Sequence, residues 1–215
     1  MCGRFTLRSD GNALAQHFGL EAEAAAALPA PRFNIAPTQA IPVIRYNPAS
    51  GRRELVLQRW GLIPAWAREG QPLLALFNAR VETLGAKPAF RNAFRLRRCL
   101  IPADGFYEWK AVGKAKQPWF VHRPGHALFA FAGISEGESC SIITRPPTPA
   151  LAALHNRMPA VPAPEDYGAW LDPARQRPEE LLPLLEAPPE FELYPVSPLV
   201  NRAAADSPEC VRRVQ

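Results

Sequence analysis

Twenty-five prolines stand among the 215 residues, dispersed along the whole chain and not gathered into one linker. Proline lacks an amide hydrogen and obstructs a helix interior, and in sheets it is confined to edges, first positions and bulges. A chain punctuated this often must be built from many short elements, and nothing in the spacing marks a domain boundary. No internal repeat is present, so a single domain over residues 1–215 is expected, and 47% hydrophobic content suffices for its core.

Between the prolines the local signals are legible. Ser9 or Asp10 can cap a helix over residues 11–18, with Leu14 and Phe18 on one face and Gly19 as its stop. Residues 21–31 (EAEAAAALPAP) form the one low-complexity run and are expected to lead into a surface loop. The runs IPVIRY (41–46) and RELVLQRW (53–60), separated by Asn47-Pro48-Ala49-Ser50-Gly51, predict a hairpin. Further strands are expected at 99–102, 105–110, 118–122, 127–134 and 140–144, and helices near 86–96, 149–154, 164–171 and 178–186. The pattern predicts an α+β fold around a central antiparallel, partly closed sheet flanked by helices.

Composition narrows the function classes. No run of eighteen apolar residues occurs and residues 1–30 lack the order of a secretory signal, so a cytoplasmic protein with no membrane association is expected. Four cysteines (Cys2, Cys99, Cys140, Cys210) lie far apart with no C-x-x-C spacing, which argues against a zinc site or a disulfide framework. A net charge of +5 and a pI near 9.3 suit a polyanionic partner, and suit an ordinary soluble basic enzyme equally well. No Gly-rich phosphate loop, metal-ligand spacing or G-x-S-x-G motif is present, so neither a metal nor any other cofactor is expected.

Six segments can carry chemistry. In Met-Cys-Gly-Arg, removal of Met1 would leave Cys2 with an α-amine of pKa roughly 8 and a thiol near roughly 8.5 on one two-carbon frame. Such a pair can form an imine with an aldehyde and then close a five-membered thiazolidine; burial as a small apolar residue is the commoner fate of a free cysteine. In FNARVE (77–82) an extended backbone would project Asn78 and Arg80 to one face, where a guanidinium can hold a phosphate. Glu108 lies between Tyr107 and Trp109 in an otherwise apolar strand, where burial would raise its pKa toward neutrality; an exposed glutamate on the outer face is the alternative. In HNRMP (155–159) His155 can act as acid or base and Arg157 as a phosphate contact. RFNIAPTQ (32–39) and WGLIPAW (60–66) place polar groups and indoles around Gly and Pro, with Trp60 expected in the core and Trp66 exposed.

Taken in order, MCGR, FNIAPTQ, WGLIPAW, NARVE, RRCLIPADGFYEW, HNRMP and PVSPLVN (195–201) resemble the SRAP family, SOS-response-associated peptidase-like proteins that shield abasic DNA. The resemblance runs from residue 2 to about residue 201. It implies a basic groove and a processed Cys2 that forms a thiazolidine with the ring-opened sugar. Asn78, Glu108 and His155 match the family's other active-site positions: Asn78 would position the amine and sugar, Glu108 would open the sugar and move protons, and His155 would assist ring opening or crosslink reversal. Arg4, Arg80 and Arg157 would grip phosphates, while Asn34, Pro37, Trp66 and Thr144 fall at places that look like DNA-contacting positions. Arg145-Pro146-Pro147 after Thr144, and the MPAVP run (158–162), depart from the family's usual continuations.

The expectation is thus a monomeric enzyme that captures abasic sites in single-stranded DNA, including sites at single-strand/double-strand junctions, and is nucleoid-associated when bound. Associated strand cleavage, crosslink reversal and autoproteolytic removal of Met1 belong to the same expectation. Two other classes fit parts of the sequence: a cysteine peptidase using Cys2, His155 and Asn78, and a noncovalent single-strand binder in which Cys2 is structural.

Overall fold

The computed structural model describes residues 2–21, 31–67 and 76–214. Its first helix, α1 (Gly11–Phe18), forms where the sequence places its signals. The Asp10 carboxylate caps it by accepting from the Ala13 amide, and Gly19 ends it with φ 62°, a backbone that an L side chain resists. Leu14 and Phe18 are its buried face. Most of the low-complexity run, residues 22–30, lies outside the described residues.

Two sheets make up the β structure. The first carries β1 (Phe5–Leu7), β2 (Arg32–Ile35), β7 (Gly105–Val112), β8 (Ala115–His122) and β12 (Glu192–Pro195), in the order β12-β8-β7-β1-β2. The second contains β3 (Ala40–Asn47), β4 (Arg52–Trp60), β6 (Arg98–Ala103), β9 (Phe129–Glu136), β10 (Ser139–Arg145) and β11 (Met158–Pro159), with β5 (Asn78–Arg80) paired to β10. Its path runs β11-β10-β4-β3-β6-β9, and β9 pairs back onto β10, so the strands from β10 round to β9 close into a ring. The expected hairpin is β3–β4, in register from Ala40↔Arg59 to Asn47↔Arg52. Most pairs are antiparallel; β10 meets β4 and β5 in parallel.

One large apolar cluster spans both sheets. Phe5 of the first sheet meets Trp60 and Phe131 of the second edge-on, with ring centroids 5.3 and 5.5 Å apart. Trp60 is fully buried and Trp66 is 64% exposed, as their sequence positions imply. The helices α2 (Pro88–Leu96), α3 (Pro149–Ala152) and α5 (Pro178–Leu181) each open on proline, whose missing amide hydrogen costs nothing in a first turn. The fourth in chain order, α4 (Tyr167–Leu171), is tied to α2 by Arg98, whose buried guanidinium donates to carbonyls of Phe94, Arg95, Trp170 and Asp172.

Four strands escaped the sequence reading, among them the two-residue β11. β1 and β12 are three and four residues long, too short for alternation to register. β2 is the RFNI segment expected in a loop, and becomes extended by pairing with β1. Conversely, FNARVE is extended only to Arg80; Val81–Thr83 forms a 3-10 turn that sends Glu82 toward Arg157.

Candidate active site

The amino-terminal segment is held where β1 enters the first sheet. Phe5 pairs with Phe106 and Thr6 with Gly105, and the Tyr107 amide donates to the Arg4 carbonyl at 3.0 Å. The buried Asp104 carboxylate fixes the next turn of chain, accepting from the Thr6 hydroxyl at 2.6 Å, Arg8 Nε at 2.9 Å and the Ser9 amide at 3.1 Å. Gly105 is required here: a Cβ on it would lie 2.2 Å from the Phe120 ring.

Asn78 reaches the same segment from the second sheet. Its Nδ2 donates to the Cys2 carbonyl at 2.9 Å. The strand that carries it is set from both sides: Trp60 Nε1 and the Ile142 amide each donate to the Phe77 carbonyl, at 2.9 and 3.0 Å. Alternation along β5 is as the sequence predicts, with Asn78 half-buried, Ala79 buried and Arg80 exposed.

Glu108 lies two residues beyond Phe106 on β7 and therefore on the same face, turned toward the interior. It is buried, and burial lifts its carboxyl to about 7 against the opposing charge of the amino terminus. The exposed alternative is thus excluded. His155 follows α3 and accepts the Arg157 amide hydrogen on Nδ1 at 3.0 Å, which leaves Nε2 to carry the proton of the neutral ring. Partial burial, then the amino-terminal charge, hold its pKa below the usual histidine range. The Asn78 amide holds the Cys2 carbonyl and the Glu108 charge acts on the Cys2 thiol, so three residues far apart in sequence meet at Cys2.

Cys2 itself is fully buried, and burial pushes its thiol up, with the Glu108 charge adding to the effect. Burial is the commoner fate of a free cysteine, and desolvation disfavours the thiolate.

The positions expected to touch DNA separate into two groups. Trp66, at the exposed end of a turn, Pro37, half-buried in the turn between β2 and β3, and Arg80 all reach the surface. Among the described residues, the Arg80 side chain makes no hydrogen bond or ion pair. Arg4 is half-buried, and its Nη1 donates to the Val200 carbonyl at 2.9 Å. Three others are buried or bonded within the protein. Asn34 is fully buried, with its amide donating to the carbonyls of Val200, Arg202 and Ala205 at 3.1, 3.0 and 2.7 Å. Thr144 is fully buried on β10. Arg157 is held in a two-pronged ion pair with Glu82, at 2.5 and 3.0 Å, and donates to the Thr144 carbonyl.

Comparison with known proteins then decides the family. The family model described as SOS response associated peptidase (SRAP) matches residues 1–203. The chain belongs to the SRAP family. The abasic site processing protein YoqW of Bacillus subtilis is 39% identical over 98% of this chain and 99% of its own length. The abasic site processing protein HMCES of Gallus gallus is 30% identical over 84% of this chain, which spans 66% of that longer protein. A crystal structure of a protein from Bacteroides thetaiotaomicron superposes with a TM-score of 0.86 over the full length of both chains at 23% identity, a likeness of fold.

In this SRAP chain the sequence reading missed two site-forming residues. Glu82 sits in the NARVE motif but was read only as strand, and Asp104 directly precedes Gly105, where an acid beside a glycine suggests a turn. Both are charged residues whose partners, Arg157 and Arg8, lie 75 and 96 positions away. No group of three or more His, Cys, Asp and Glu among the described residues is placed to hold a metal, and none of their helices is long and apolar enough to cross a membrane.

Proposed function

We propose that this protein captures abasic sites in single-stranded DNA through Cys2, once Met1 has been removed. Supporting the reading, the Asn78 amide holds the Cys2 carbonyl and the Glu108 charge acts on the Cys2 thiol, in a chain whose relatives are named abasic site processing proteins. The Cys2 amine adds to C1 of the ring-opened sugar, water leaves, and a C=N bond forms. The Cys2 sulfur then adds to the same carbon, and its proton passes to nitrogen as the C–S bond closes the thiazolidine. One water is lost in all, and no oxidant or reductant is consumed.

The residues divide the work. A carboxyl titrating at about 7 can take a proton from the amine and return it to the leaving hydroxyl near neutral pH, which is the role of Glu108. Neutral His155 offers its Nε2 proton to the sugar oxygen released on ring opening. Asn78 holds the Cys2 carbonyl, fixing the backbone from which amine and thiol project. A thiol that keeps its proton is no obstacle, because the amine attacks first. A peptidase working through the same residues needs thiolate and imidazolium, whereas burial moves both groups the other way.

Exposed Trp66 and Arg80 supply a stacking ring and a phosphate contact, and little base readout is required. The test is a denaturing gel of the protein incubated with an abasic single-stranded oligonucleotide, beside Cys2→Ala and an oligonucleotide whose aldehyde has been reduced. A shifted band that needs both Cys2 and the aldehyde supports the reading; a band that persists in Cys2→Ala overturns it.

A further inference from the structure

β7 and β8 outrun the sheet that contains them. They stay paired from Phe106↔Val121 to Val112↔Ala115, while β1 holds β7 only at Gly105 and Phe106 and β12 holds β8 only from Trp119 onward. From Lys110 to Gln117 the pair is a two-stranded ribbon with no third strand, and residues Ala111–Lys116 are all exposed. Among the described residues both edges of the ribbon are unpaired there, which leaves it open to a partner.

Its charge is all of one sign. Lys110, Lys114 and Lys116 all lie on it, and no acidic residue occurs between Glu108 and Glu136. The ribbon is also a direct continuation of the strand that delivers Glu108. Lys110 follows Glu108 by two residues on the same face, and its ammonium stands 5.8 Å over the ring of Trp119, the cross-strand neighbour of Glu108. The Lys116 charge is felt at His155 and helps hold its pKa below the usual range. At about 3.4 Å per residue, Val112 at the tip lies roughly 14 Å beyond Glu108, far enough to run beside neighbouring nucleotides.

We propose that the β7–β8 ribbon is a DNA-gripping arm, in which Lys110, Lys114 and Lys116 hold backbone phosphates of the strand flanking the captured site. The proposal rests on the function given above and adds the element that holds the flank. Lysine suits it: a strongly hydrated point charge on a flexible stem contacts phosphates without reading bases. The other use of lysines on a free ribbon is to block edge-to-edge pairing with a second copy.

The experiment measures noncovalent binding of the full protein to an intact single-stranded oligonucleotide as a function of salt. Wild type is compared with Lys110→Ala/Lys114→Ala/Lys116→Ala, with the corresponding triple arginine variant, and with Lys114→Glu alone. Each phosphate contact contributes a slope of about 0.7 in log K against log salt. The arm predicts that the triple alanine variant loses about 2 from the slope, that arginine restores it, and that Lys114→Glu loses at least about 0.7. An unchanged slope in both loss variants overturns the proposal, and so does a triple alanine variant that self-associates with its slope intact. Crosslinking of the wild type to an abasic strand, run in parallel, tests the function separately, since the slope is read on DNA that offers no aldehyde.

Discussion

Replacing Glu108 with glutamine should make the protein more stable and less active, with the gain in stability appearing only as pH rises. Glu108 is 3% exposed, and burial lifts its carboxyl from an ordinary 4.5 to about 7. A folded-state pKa above the unfolded one means that the neutral acid is the form the fold favours. Its contribution is complete below 4.5 and is lost as pH rises through about 7. Above that pH the folded protein carries a buried carboxylate at a cost of about 3 kcal/mol. Glutamine keeps the shape and never ionises. The Glu108→Gln protein should therefore match wild type near pH 4.5 and exceed it by about 3 kcal/mol at pH 8, or roughly 6–12 °C in melting temperature for a chain of this size. Thermal melts of both proteins from pH 4 to pH 9, with abasic-site capture rates measured alongside, check this. A difference independent of pH, or a glutamine variant that is less stable at pH 8, would refute the claim that this carboxylate is held ready for proton transfer at the expense of the fold.

Cys2→Ser keeps the amine but cannot close the sulfur ring, so it should give an imine that borohydride traps and heat reverses, and no adduct that survives denaturation untrapped. Asn34→Ala leaves three buried carbonyls without their donor and should lower stability by roughly 2–4 kcal/mol, read from the denaturant midpoint, while the salt dependence of DNA binding stays as in wild type. Trp66→Ala should leave the melting temperature within about 2 °C, as expected for an exposed side chain, yet weaken binding to single-stranded DNA by roughly 1–3 kcal/mol, measured by fluorescence anisotropy.

How far the sequence could be read follows from the range of the forces involved. Elements fixed by their own residues were legible: Asp10 and Gly19 bound α1, and Asn47 to Gly51 turns β3 into β4. The burial of Glu108 was also within reach, because its aromatic neighbours advertise an apolar strand. Elements that exist only through distant pairing were not. β1 is three residues long and is extended because β2 and β7 flank it, a fact no local window contains. The same limit governed the interface. Arg157 and Thr144 look like free polar groups in sequence, but Glu82, 75 positions from Arg157, takes up its guanidinium, and Thr144 is buried on β10. The partners of Asn34 were out of reach for a like reason, since its three acceptors all come from the carboxy-terminal segment at Val200, Arg202 and Ala205. Cys2 was found by position alone, yet its burial depends on two sheets meeting around it.

The central claim is that amine and thiol of one cysteine both end on the same carbon, and intact mass spectrometry of the adduct tests it most directly. Wild-type protein is incubated with an abasic single-stranded oligonucleotide and weighed before and after borohydride. A thiazolidine predicts the mass of the Met1-free protein plus oligonucleotide less one water, unchanged by borohydride because no C=N bond remains. An adduct that gains two hydrogens on reduction, or one that retains Met1, contradicts the account.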